Sequence, residues 1–529
     1  MALNDVVGTL RRLAAWRPAR RGAGPTGGIA IDDARRLADA ERAMGGAPDG
    51  CAWLDDRTVD DLDLALVFRA VDRTTTPLGA QALWRWLVAP ALRLDVLAAR
   101  ERSLARFAAR PALRDAVRRA LAGPTAPDAP HLPRLLWEPA PQPLRITGFA
   151  VMLGAFVALA ALAVAWWPPL AAGCVVVFVA NLMLDDWANL RLAHQGRALE
   201  VLVRALGSAA AALGIDGLRD AAVAADLAAL APLRKRTTWL TVRDPFGLSD
   251  AVRAGLLIRV LLLGALLRKV WRERERLRRV VLWLGELDAL VAIACLRGER
   301  GEARLPELSA GARPELGPLV AGGLVHPAIA GAVGNDLALA AGLLVTGSNM
   351  AGKSTFLRTV AINAICAQSI HTVFGRWRAS VFRVFAAMRI SDATAAGTST
   401  YAAEVAAIGA LAAAVRGDDE PPALFVIDEP FRGTNPALRV PIVVSTLDYL
   451  GARDVVIAAT HDLDVAAQVD ARFARGYFCE PEDGTGAFDR KLRPGVAPTS
   501  NALALLVRAG YPRALIAAVE RRVHGAATT

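Results

Sequence analysis

The chain has 529 residues and a net charge of +11, from 62 Lys and Arg against 51 Asp and Glu, with 54% hydrophobic residues and a mean hydropathy of +0.34. That length holds about two to four domains with substantial cores, and the positive balance suits a polyanionic partner, either nucleic acid or anionic lipid. The five cysteines (51, 174, 295, 366 and 479) include no C-x-x-C pair, which argues against a zinc site or a disulfide framework and fits a reducing cytosol.

In chain order, residues 1–50 read as a short leader carrying Arg11, Arg12, Arg17, Arg20 and Arg21. No apolar segment follows that cluster, so it is not a signal peptide. Gly- and Pro-rich breaks at Arg21–Gly28, Gly123–Pro133 and Gly298–Pro318 mark boundaries, and residues 51–140 form a first helical part. Ile146–Trp167 is then a run of 22 residues without a charge, and Leu170–Leu184 a second of 15, parted by Trp166-Trp167-Pro168-Pro169. About 20 apolar residues cross the ~30 Å hydrocarbon core of a bilayer. Residues 146–184 are therefore expected to form a two-helix transmembrane hairpin in contact with lipid. Arg145 before it and Arg191 and Arg197 after it place both ends on the cytoplasmic side. The alternative is a helix pair buried in a soluble core.

Residues 185–315 return as long helices, with a turn at Asp244-Pro245-Phe246-Gly247. Ala254–Leu267, interrupted by Arg259, is too short to span and reads as a packed core helix or one lying in the membrane surface. Arg268–Arg279 places seven cations and two acids on one expected helix. Such a helix binds phosphates of DNA or lipid, or else is a solvated face with internal ion pairs.

Residues 316–529 carry the chemistry. An apolar strand at Leu343-Leu344-Val345 leads to Gly347-Ser348-Asn349-Met350-Ala351-Gly352-Lys353-Ser354, a complete G-x-x-x-x-G-K-S loop, and a helical stretch follows. In that context the backbone N–H groups of Gly347–Thr355 cradle phosphates, Lys353 reaches the β- and γ-phosphates, and Ser354 ligates Mg²⁺. A second strand ends at Asp428-Glu429, where Asp428 would hold Mg²⁺ and Glu429 would polarise the attacking water. A third, Asp454–Ala459, ends at Thr460-His461-Asp462, where His461 would contact the γ-phosphate. The expected fold is an α/β P-loop domain with a mostly parallel sheet, preceded by the all-α core with its membrane hairpin.

The residues around these motifs resemble the MutS mismatch-recognition family. Thr346–Thr355, with Asn349-Met350 inside the loop, is similar to its P-loop, and Gly397-Thr398-Ser399-Thr400-Tyr401-Ala402-Ala403-Glu404 to its signature segment. Asp428–Asn435, with Arg432-Gly433-Thr434, resembles its Walker B and the following turn, and Ala459-Thr460-His461 its histidine switch. His326-Pro327 with Asn335-Asp336-Leu337 looks like the opening of its ATPase domain. Lys491–Gly495 and Ala509-Gly510-Tyr511-Pro512 look like its closing segment. Upstream, Val71–Gly79 with Leu83, Trp84, Trp86 and Leu87 resembles the start of the family's helical core, and Gly285–Leu290 its end.

The resemblance implies ATP and Mg²⁺ as cofactors, a homodimer in which Ser399 and Thr400 complete the partner's ATP site, and double-stranded DNA as ligand. It implies an ATP-dependent clamp, here tethered at the cytoplasmic face of a membrane. About 50 residues precede the core, and the one Phe-x-Glu string, Phe478-Cys479-Glu480, falls beyond the histidine switch, so recognition of mismatches by the family's Phe-x-Glu wedge is not expected. The same engine could instead regulate a protein or lipid assembly without DNA. A nucleotide-binding scaffold with little turnover is a third reading. A transporter ATPase would need an LSGGQ-type signature and more membrane helices, which the sequence lacks. No downstream protein partner can be read from the residues.

Overall fold

The computed structural model describes residues 30–122, 131–139, 146–166, 169–233, 252, 254–309, 319–339, 341–347, 351–388, 400–415, 417, 420–431, 435–479, 489–497 and 510–526. The N-terminal arginine cluster, the break at 21–28 and the turn expected at 244–247 lie outside them.

The helical part opens with α1 (Ile31–Ala43), α2 (Asp56–Asp61), α3 (Leu64–Val71), α4 (Pro77–Val88), α5 (Leu94–Ala109), α6 (Pro111–Ala120) and α7 (Leu132–Trp137). Helix α1 falls within the span read as a leader, yet it is part of the core. It buries Ala34, Leu37 and Ala38, and Gln81 Nε2 donates to Asp33 O at 2.9 Å. Helix α4 begins where its sequence dictates, with Thr76 as N-cap accepting the Gly79 N–H and Pro77 at the first helical position.

Helices α8 (Ile146–Ala165) and α9 (Leu170–Leu213) fall on the two uncharged runs and pack against each other, but α9 does not stop near residue 184. It continues unbroken for 44 residues, since no proline interrupts it and Asp185 is buried against Arg259 at 3.7 Å. The second arm and the first long helix of the returning core are thus one rod. Thr147–Ala165 and Leu170–Ala188 are long and apolar enough to cross a membrane, with mean hydropathies of 2.4 and 1.6. Only 11% of each is buried, and Val157, Val164, Val176 and Met183 stand exposed.

Three further helices complete this half: α10 (Ala221–Ala229), α11 (Ile258–Arg272) and α12 (Arg274–Glu299). The cationic run is not one helix, because a kink at Glu273 (φ −99°, ψ 12°) divides it. The kink lets Leu263, Leu267 and Val270 on one side and Leu277, Val281 and Leu284 on the other reach the same core as Leu199, Leu202 and Leu206 of α9. Arg279 and Arg276 face Asp226 of α10 at 2.8 and 3.5 Å. Arg278 is buried over Trp137 and donates to Glu275 and to Leu136 O, both at 2.8 Å. The internally paired reading therefore holds for these three arginines. Helix α11, whose Val260, Leu263, Leu266 and Leu267 are buried, is a packed helix.

The β structure begins at Ala303, inside the span read as helical. Strand β1 (Ala303–Arg304) and β2 (Glu307–Ser309) precede β3 (Leu319–Leu324), β4 (Asn335–Leu339), β5 (Gly342–Thr346) and α13 (Lys353–Ser369). After these come β6 (Val373–Phe374), β7 (Arg376–Ser380), β8 (Arg383–Ala387), α14 (Thr400–Ala414), β9 (Ala423–Asp428) and α15 (Pro436–Gly451). The chain ends with β10 (Val455–Ala459), α16 (Leu463–Gln468), β11 (Phe473–Phe478), β12 (Leu492–Pro494) and α17 (Arg513–Ala526). The main sheet has the order β12-β11-β5-β10-β9-β8, parallel except for β12. Its central strands are apolar without alternation because both faces are covered. A four-stranded sheet β2-β7-β3-β4 and the pair β1-β6 lie beside it.

Helix α13 joins the two halves. Arg358 Nε donates to Asp61 O of α2 at 2.9 Å. Beyond its far end, Arg297 of α12 donates to His371 O at 2.7 Å and pairs with Glu101 of α5 at 2.7 Å.

Candidate active site

Strand register brings the motifs to one height. Ala459 of β10 lies opposite Val345 of β5 on one side and Asp428 of β9 on the other. The residues that follow, Thr346-Gly347, Glu429 and Thr460-His461, therefore leave the sheet together at the C-terminal ends of three adjacent parallel strands, where open α/β sheets bind ligands. Gly347 has φ +130°, and a Cβ there would lie 2.6 Å from Phe478 O, so the turn requires glycine. Gly352, at φ +108°, makes the second left-handed turn, into α13. Ser348, Asn349 and Met350 lie outside the described residues. Ala351 is buried and Thr355 exposed.

Lys353 is almost fully buried. Its Nζ donates to Gly347 O and lies 4.0 Å from Glu429 Oε1. Burial holds its pKa below the usual lysine value, against the opposing pull of Glu429 and Asp428. Burial also pushes the Asp428 carboxyl up; a hydrogen bond from Ser354 opposes this and the Glu429 charge adds to it. Asp428 Oδ1 is buried and has no hydrogen-bond partner among the described residues. Ser354 and Asp428 are thus in contact, with one carboxylate oxygen left over. This hard-oxygen pair fits Mg²⁺ held by one or two protein ligands plus substrate phosphates. Among the described residues no group of three or more His, Cys, Asp or Glu could hold a metal ion.

Glu429 has φ +47°, and its N–H donates to Ala459 O at 2.9 Å. The left-handed backbone breaks the alternation of the strand, which is how two consecutive acids serve one site. His461 Nδ1 lies 3.3 Å from Glu429 Oε1, its ring half-exposed toward solvent. Lys353, Ser354, Asp428, Glu429 and His461, picked from the sequence, are therefore brought together. Ser399 lies outside the described residues, and of Thr400 only the helical backbone at the start of α14 is described. Arg432-Gly433-Thr434 also lies outside them.

Two residues beside the site carried no role in the sequence reading. Arg439, in the first turns of α15, donates from Nη2 to Asp462 Oδ2 at 2.8 Å, and both side chains are largely buried. Asp462 follows His461 directly and caps α16 by accepting the Asp464 N–H. An aspartate just before a helix is a readable N-cap signal, but nothing local marks its arginine 23 positions earlier.

Residues 343–525 match the MutS domain V family. Similar proteins include the DNA mismatch repair protein MutS of Natronomonas pharaonis, 32% identical over 259 residues, which cover 46% of this chain and 29% of that one. The DNA mismatch repair protein MutS of Thermus thermophilus is 31% identical over 278 residues, 50% of this chain and 33% of that one. The part of the chain that holds the site is a MutS domain V. The chain spans about a third of the length of these curated relatives. The DNA mismatch repair protein MutS 2 of Haloarcula marismortui is 33% identical over 180 residues, 33% of this chain and 19% of that one. The domain V match contains every site residue named above, from Gly347 to His461.

Proposed function

We propose that the protein is an ATP-dependent DNA clamp that hydrolyses ATP at a site shared between two copies, tethered to the cytoplasmic face of a membrane by α8 and the first part of α9. The observation that carries the reading is the convergence of Lys353, Ser354, Asp428, Glu429 and His461 at the ends of β5, β9 and β10. Lys353 binds and neutralises the terminal phosphates, and Glu429 orients the attacking water. His461, within reach of Glu429, senses the γ-phosphate. Ser354 and Asp428 would hold Mg²⁺, which would supply charge neutralisation at the phosphates. In the homodimer, Ser399 and Thr400 reach the ATP of the partner copy, and ATP closes the pair. The choice of ATP over GTP, the dimer and the duplex DNA follow the likeness to MutS proteins. The net charge of +11 suits the DNA.

The test is binding of duplex, mismatched and branched DNA by the purified protein, with and without ATP, across a salt series. ATP-modulated binding that persists near physiological salt is expected, with log affinity falling by about 0.9 per neutralised phosphate for each log unit of salt. A second reading, an ATPase that regulates a protein or lipid assembly, is favoured by one observation. Arg276, Arg278 and Arg279, which a DNA-binding face would keep free, are engaged with Asp226, Glu275 and Leu136. Absence of DNA binding at every salt, with turnover intact, would select it.

A further inference from the structure

His461 stands on a three-residue loop between β10 and α16, and its ring is half-exposed, so the ring itself has little packing to hold it. The loop is held on both sides. Toward β5, the Thr460 N–H donates to Val345 O at 3.0 Å, and Thr460 Oγ1 accepts the Asp462 N–H at 3.0 Å. Toward α15, Asp462 Oδ2 accepts from Arg439 at 2.8 Å while Oδ1 caps Asp464 at 3.2 Å. The arginine is fixed in turn, because α15 is N-capped by Asn435, whose carbonyl accepts the Arg439 N–H at 2.9 Å. In the sequence, Asn435 stands six positions after Glu429. The Arg439–Asp462 ion pair therefore ties α15, which follows the glutamate in the sequence, to the segment carrying the histidine.

We propose that Arg439 is a positioning residue for ATP hydrolysis, acting through Asp462 to hold His461 against Glu429. The inference rests on the ATPase reading above. The Asp462 carboxylate, neutralised by Arg439, neither competes with Glu429 for the imidazole nor swings the loop away. Without the arginine, an unpaired and largely buried carboxylate one residue from His461 would turn toward solvent or toward the ring. Displacement of the ring would be felt at Glu429, and so in the chemical step rather than in nucleotide binding. Misplacement by about 1 Å is enough to cost as much as ~10²-fold in rate.

The experiment is ATP turnover by the full chain in four forms: wild type, Arg439→Gln, His461→Ala and the double variant, with Glu429→Gln as control. In the wild-type background Arg439→Gln is expected to lower kcat about tenfold, with the KM for ATP unchanged. In the His461→Ala background it is expected to lower nothing further. Arg439→Lys, which keeps a cation opposite Asp462, should recover most of the lost kcat and guards against misreading a folding defect. An equal loss in both backgrounds, or a rise in KM with kcat unchanged, overturns the proposal while leaving the ATPase reading intact. Turnover that Glu429→Gln does not reduce overturns both.

Discussion

Asp288, buried on α12, accepts both the backbone N–H and the hydroxyl of Thr76, 212 residues earlier, at 2.8 and 2.7 Å. Its carboxylate also receives the Thr75 hydroxyl at 3.0 Å. Thr76 caps α4, so one carboxylate fixes where that helix starts and how it lies on α12. The helices touch so closely that a Cβ on Gly79 would lie 2.2 Å from Asp288 Oδ2, and one on Gly285 would lie 2.6 Å from Leu78 O. Asp288→Ala should leave several buried donors unpaired and destabilise the helical core by about 3 kcal/mol. Gly79→Ala should destabilise it by about 2 kcal/mol through overpacking. Thermal unfolding checks both, and wild-type melting by either variant would contradict the packing described.

Lys353 offers a test of the phosphate loop. Because it is buried beside two carboxylates, Lys353→Ala removes the cation that offsets both and the group expected on the β- and γ-phosphates. ATP affinity should fall about a hundredfold, equivalent to ~2.7 kcal/mol. Equilibrium binding of a fluorescent ATP analogue measures this, and unchanged affinity would place the nucleotide elsewhere.

His326 sets a pH dependence. Burial, reinforced by the Arg358 charge and opposed by Asp63, lowers its pKa from 6.5 to about 4. In the unfolded chain the ring takes up a proton near pH 6.5, but in the folded protein only near pH 4, so the unfolded state binds more protons in between. Stability should therefore be lost as pH falls from 6.5 toward 4, by up to about 3 kcal/mol from this group. His326→Gln should flatten that part of a stability–pH curve, and an unchanged slope would assign the dependence to other groups.

The hairpin predicts location. A charge near the middle of a membrane helix costs about 2.5–3.5 kcal/mol on insertion scales. Val157→Asp together with Val176→Asp should shift the protein from the membrane fraction to the soluble fraction while leaving ATP turnover unchanged. A wild-type protein that is monodisperse without detergent would contradict the tether.

The nucleotide site was legible in the sequence because its strands are buried on both faces. Leu343–Val345, Leu424–Ile427 and Val455–Ala459 read as unbroken apolar runs, each ending in its polar motif, and the register delivers those ends together. The two apolar helices were legible for a similar reason, the length of an uncharged run. What escaped depends on partners far along the chain. Asp185 and Asp186 look like the end of a membrane helix, but burial of Asp185 against Arg259 lets α9 continue. The kink at Glu273 serves one core shared by α9, α11 and α12, and no local signal announces it. Helix α1 gave no sign in isolation because its small buried face is completed by α4 and α7, far along the chain. Arg439 is invisible because it acts through a residue on another element.

The central claim is that Glu429, poised between Lys353 and His461, drives hydrolysis of ATP bound at the Gly347–Thr355 loop. The most direct measurement is single-turnover hydrolysis and nucleotide retention by Glu429→Gln beside the wild type. The variant should bind ATP with wild-type affinity, lose turnover by about 10²-fold or more, and retain the nucleotide as ATP rather than ADP. Wild-type turnover by Glu429→Gln, or no turnover by either protein, would contradict the account.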